Sequence, residues 1–68
     1  MVNAKSPFMT APELSEMTGT SLSKAYGLIR LMNEELRQRG YLTVRGKVNR
    51  SYALERFGLE AVRDGGDL

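Results

Sequence analysis

The sequence contains no cysteine and no histidine. Disulfides, thiolate chemistry and the usual zinc-finger ligands are therefore excluded, and no metal or cofactor is expected. There is no run of about 18 apolar residues to cross a bilayer. Nor is there a signal peptide with an apolar core and a small-residue cleavage site, so a soluble, cytoplasmic domain is the expectation. A phosphate-cradling loop of the GxxxxGK type is missing as well. Aromatic residues make up only 7% of the chain, too few for the clusters that stack unpaired RNA bases, which sets RNA behind other partners. At 68 residues the chain makes one domain at most. A domain of that size buries only about 60% of the surface its unfolded chain exposes, so stability must come from tight helix packing, a small sheet or a partner.

What is present is an uneven distribution of charge. The formal net charge is only +2, but residues 21–50 hold seven basic side chains against two acidic ones. The remainder holds three basic and six acidic residues. Basic charge gathered on the middle of a small domain points to a polyanion.

Residues 1–8 carry no period and are expected to form a flexible arm. The stretch "TAPE", Thr10 to Glu13, has the spacing of a capping box, with Pro12 in the first turn and Met9 and Leu14 placed as a hydrophobic staple. A short helix is predicted over 11–18, facing Leu14 and Met17 inward and ending at Gly19. Ser21 is a good N-cap for a second helix of about 18 residues. Its apolar residues Leu22, Ala25, Ile29, Met32 and Leu36 fall within about 80° of one another at 100° per residue, with Leu28 widening the stripe. Gly40 stops it as a C′ residue, and Arg37 and Arg39 suit its last turn. The aromatic and β-branched stretch 41–44, the turn at Arg45, Gly46 and Lys47, and the return through Val48 predict a two-stranded hairpin. A last helix follows, capped by Asn49 or Ser51, with Leu54, Phe57 and Ala61 inward, Tyr52 at the edge, and Gly58 able to end it early. Residues 64–68 are a polar tail. The domain thus spans 9–63.

Helix, tight turn, longer helix, hairpin, helix is the order of a winged helix-turn-helix, a mainly α fold with a small β-hairpin. The second helix would enter the DNA major groove and the hairpin would be the wing. Opposite the buried stripe stand Ser23, Gly27, Arg30 and Glu34, flanked by Lys24 and Tyr26. Lys24 and Arg30 can donate to guanine or to phosphate, Ser21 and the first-turn N–H groups can hold a phosphate, and the Tyr26 hydroxyl can donate to one. Arg45, Gly46, Lys47 and Arg50 are the wing candidates. Gly27 has no core demand to explain it; without a side chain there, the helix backbone can approach DNA closely. Met9, Met17 and Met32 sit at core spacing, whereas Leu31 lies off the stripe and is free for the wing or a second protomer. Enzyme chemistry finds no footing. Glu34 and Glu35 point about 100° apart on a surface helix. Nothing separates their pKa values, and Glu35 is expected to pair with Arg39 at i,i+4.

Residues 9–58 resemble the small winged-helix DNA-binding proteins of bacterial mobile elements and phages: the excisionase-like proteins, or recombination directionality factors, and related short regulators. The most specific parts are "MNEELRQRGYLTVRGKV", which follows the family pattern LNEEL..KGY, and "YALERF", which follows YxxERF. The resemblance implies Ser21, Ser23, Lys24, Gly27 and Arg30 on the recognition helix and Arg45, Gly46 and Lys47 in the wing. It also implies double-stranded DNA as partner, in excision or in transcriptional regulation. A modest single-module interface suggests dimers or cooperative arrays on DNA, and a site-specific recombinase is a further candidate partner. The alternative is a protein-interaction module, an antirepressor or adaptor, gripping its target through Leu31, Tyr26 and the acidic last helix.

Overall fold

The computed structural model of the chain describes residues 6–59. Residues 1–5 of the expected arm, Ala61 and the polar tail lie outside the described residues. The order is β1 (Phe8–Thr10), α1 (Ala11–Thr18), α2 (Leu22–Gln38), β2 (Lys47–Asn49) and α3 (Arg50–Arg56).

The local signals set both ends of the first two helices. Thr10 Oγ1 accepts from the Glu13 backbone N–H (3.4 Å) while Glu13 Oε1 accepts from the Thr10 N–H (3.1 Å), closing the capping box. Gly19, at φ +74°, ends α1, its N–H donating to the Ser15 carbonyl. Two residues later Ser21 Oγ accepts from the Lys24 N–H and starts α2. Gly40, at φ +90°, closes α2: its own N–H donates to Arg37 O and the Tyr41 N–H to Leu36 O. α1 and α2 pack on each other as the two helices of a helix-turn-helix. Their shared core is Ala11, Leu14, Ala25, Ile29, Met32 and Leu36, joined by Met9, Val48, Tyr52 and Ala53 from the other elements. Met17 and Leu28 pack against its margin.

On the helices, three details depart from the expected burial pattern. Leu22, assigned to the buried stripe, is 47% exposed, because it opens the first turn of α2. Asn33 takes a buried place on that stripe instead. In α3, Tyr52 and Ala53 face the core; Leu54 is half-buried and Phe57, already past the helix at its C-cap, is exposed. Asn49 is the cap of α3, and Gly58 at φ +71° follows its end.

The two-stranded sheet is antiparallel and joins β1 to β2, with Met9 opposite Val48, both buried. The wing turn forms where expected: Lys47 N–H donates to Val44 O, and Gly46 at φ +81° occupies the third turn position, which an L side chain disfavours. The descending limb, however, makes a single bridge, Val44 to Lys47, rather than a ladder. The return strand finds its longer partner in the three residues before α1.

Arg50 fastens that strand. Its backbone N–H donates to Pro7 O, its Nε to Ser6 O (2.7 Å) and its terminal nitrogen to Phe8 O and the Glu13 carboxylate (3.1 Å). The Arg50 side chain is 17% exposed. On the far side of the core, Glu35 on α2 accepts two bonds from Arg56 (2.8 and 2.7 Å) and one from the Tyr52 hydroxyl (2.5 Å), tying α2 to α3. The expected Glu35–Arg39 pair does not form, because Arg39 lies over the Tyr52 ring, 5.4 Å from its centroid. Glu34 pairs with Arg37 instead.

Both adjacent carboxylates are held below the ordinary range, each first by the hydrogen bond of its own arginine. The hydrogen bonds from Arg56 and then Tyr52 lower the Glu35 carboxyl from its ordinary 4.5 to about 2. That of Glu34 is lowered by the Arg37 hydrogen bond. A folded-state pKa below the unfolded one adds stability above the unfolded value and loses it as pH falls through the folded one. The Glu35 contribution is therefore complete above about pH 4.5 and disappears toward about pH 2. Glu35→Gln should lower the melting temperature at neutral pH and narrow its gap to the parent protein in acid. Thermal unfolding followed by circular dichroism across that range checks this; a gap independent of pH counts against the Glu35 tie.

Candidate nucleic-acid interface

Among the described residues, eight side chains are cationic, and their partners sort them. Arg37, Arg50 and Arg56 are spent on ion pairs with Glu34, Glu13 and Glu35. Arg39 is stacked on Tyr52. Lys24, Arg30, Arg45 and Lys47 make no ion pair among the described residues, and all four are exposed on α2 and the wing. Unneutralised charge thus collects on one pair of elements, while compensated charge holds the fold together. The net +2 of the whole chain conceals that separation.

The two elements meet in a concave groove lined by Tyr26, Ile29, Arg30, Asn33, Arg37, Thr43, Arg45 and Gly46. Ile29 and Asn33 form its floor on the buried side of α2, and Tyr26, Arg30 and Arg45 stand exposed on its walls. The groove therefore joins the recognition-helix candidates Tyr26 and Arg30 to the wing candidates Arg45 and Gly46. Ser21, Ser23 and Lys24 lie exposed at the N-terminal end of α2, outside that lining. Ser21 already serves as the helix cap. At Gly27 an added Cβ would meet no atom within 4 Å, so no packing in the free protein requires glycine there. No helix among the described residues is long and apolar enough to cross a membrane. Those residues also include no group of three or more acidic side chains, histidines or cysteines able to hold a metal.

The chain is similar to the ICEBs1 excisionase of Bacillus subtilis (strain 168), with 34% identity over 47 residues that make up 69% of this chain and 73% of the relative. It belongs to the excisionase family. No family model and no solved structure matches it. Family and fold together make it a small DNA-binding regulatory protein of winged helix-turn-helix type, not an enzyme.

One candidate changes role. Arg50, expected among the wing cations, points away from the groove into the β1–Glu13 junction, so its charge is used within the fold. Conversely, Asn33 was not recognised from sequence. Only 5% exposed, it donates from Nδ2 to Val44 O (3.1 Å) and Lys47 O (2.8 Å), the two residues that close the wing turn. One turn further along α2, Arg37 donates to Thr43 Oγ1 (3.0 Å). A signal for Asn33 was available: it stands four residues after Ile29 and three before Leu36, a polar residue at a core position.

Proposed function

We propose that the protein binds specific duplex sequences through α2 in the major groove and the wing beside it, acting as an architectural excision factor of a mobile element, as a transcriptional regulator, or as both. The observation that carries this reading is the collection, on α2 and the wing, of the four cations that make no ion pair among the described residues, two of which, Arg30 and Arg45, line one groove. The excision role takes its support from the name of the Bacillus relative. Arg30 and Lys24 read base edges; Arg45 and Lys47 bind phosphates and set affinity. Ser21 and Ser23 add hydrogen bonds at the helix start, and Tyr26 donates its hydroxyl from the groove wall. The site of action is the nucleoid in the cytoplasm, and copies bind DNA as dimers or arrays, with a site-specific recombinase as a further partner.

Arg30→Ala and Lys24→Ala are each expected to weaken binding to the cognate duplex more than to unrelated DNA, by about 1–3 kcal/mol per lost base contact. Lys47→Ala should weaken both alike and lower the salt slope by about 1. Gel-shift titration over a salt series measures all three. If none changes, α2 is not the recognition helix.

Gly27 provides a second, independent expectation. Alanine meets open space there and is the better helix former by about 1 kcal/mol, so Gly27→Ala should raise the melting temperature. If the backbone approaches DNA at this point, the same methyl should weaken binding. Higher stability with unchanged affinity would remove Gly27 from the interface.

The exposed Leu31 favours a second reading, a contact with another protein. Binding to a protein target that is indifferent to salt would support that reading.

A further inference from the structure

We propose that Asn33 is the positioning residue of the DNA interface, holding the wing cations at a fixed place over α2 so that helix and wing engage one duplex together. The inference rests on the reading of the α2–wing face as the DNA-binding surface.

Position 33 lies in the buried stripe between Ile29 and Leu36, where an apolar side chain would pack without any polar group to satisfy. A buried amide is costly unless it is hydrogen-bonded. Here both hydrogens of one Nδ2 are used, one on Val44 O and one on Lys47 O. Both partners are carbonyls, which only accept, so the nitrogen rather than the oxygen must face them. The two carbonyls bracket Arg45 and Gly46, the tip of the wing. Among the described residues the wing has little else to fix it: one cross-strand bridge, the Arg37 bond to Thr43 Oγ1, and the β2 pairing with β1 that starts at Lys47 opposite Thr10. So short a ribbon is marginal by itself. A wing held in place before DNA arrives also avoids the ordering cost that a loose one meets on binding.

The test is a mutant cycle between Asn33 and the wing cations, read as the slope of log K against log salt. Arg45→Ala with Lys47→Ala should lower that slope by about 1.8, at roughly 0.9 per phosphate contact. Asn33→Leu, which keeps the bulk, should lower it by a similar amount. Adding the two wing substitutions to Asn33→Leu should then lower it little further. If the wing substitutions lower the slope as much in the Asn33→Leu protein as in the parent, Asn33 does not act through the wing and the proposal falls while the DNA-binding reading stands. If they leave the parent's slope unchanged, the wing does not touch DNA and both fall. Melting curves accompany every variant, and Asn33→Ser is the second substitution should leucine not be accommodated. In the unsubstituted protein, the side-chain amide protons of Asn33 should exchange slowly by NMR, both free and on the duplex. Exchange at the rate of a solvated amide in the complex would overturn the proposal without any variant.

Discussion

Leu14→Ala is expected to leave a large fraction of the protein unfolded at 25 °C. Leu14 has no exposed surface, and it sits on α1 where that helix meets α2 and the Met9–Val48 pair. Truncating such a leucine costs about 2–5 kcal/mol, the transfer term of the lost carbons plus the cavity they leave. Domain stabilities of about 0.05–0.15 kcal/mol per residue give a chain of this length roughly 3–10 kcal/mol in total. One substitution therefore removes much of the margin, and DNA binding would fail with it because α2 loses the helix it packs against. Urea titration checks the size of the loss, with Leu31→Ala as the comparison. Leu31 is 52% exposed and should change stability by no more than about 0.5 kcal/mol. A loss below about 1 kcal/mol at Leu14 would mean that the core relaxes into the space, and that α1 is not held by this contact.

The helices around that core were legible because their information is local. A capping box, a cap serine and glycines at positive φ act within four residues of where they stand, and the structure places α1 and α2 where those signals do. What escaped depends on distant partners. β1 is three residues long, too short for any period, and its mate lies about forty positions further on. The acids show the same limit. Sequence offers Glu35 an arginine four residues away, whereas packing of α3 brings Arg56 and Tyr52 to it from 21 and 17 residues distant. Arg50 reads as one more wing cation until β1 and Glu13 are seen beside it. Asn33 shows both limits: its place in the stripe is local, but the Val44 and Lys47 carbonyls that satisfy a buried amide lie 11 and 14 residues away.

These assignments divide the cations into two functional sets, and a single salt series separates them. Replacing Lys24, Arg30, Arg45 and Lys47 by alanine together should lower the slope of log K against log salt by about 1.8, the counterion release of the two phosphate contacts of Arg45 and Lys47. It should also remove the preference for the cognate duplex that rests on Lys24 and Arg30. Affinity for any duplex should then be low even in dilute buffer, because non-specific binding is almost wholly electrostatic. The fold should survive. None of the four makes an ion pair among the described residues, so removing them breaks no tie and relieves like-charge crowding on one face. Arg50→Ala should behave in the opposite way. It abandons the Glu13 carboxylate and the carbonyls of Ser6 and Phe8, so it should lower the melting temperature. The salt slope of the molecules that remain folded should be unchanged. A four-alanine protein that still binds DNA with the parent's slope would move the interface to another face. One that melts as Arg50→Ala does would mean that the free cations also hold the fold. Retained binding to a protein target with lost binding to DNA would show that the same fold offers two separate surfaces, with Leu31 the first residue to test on the second.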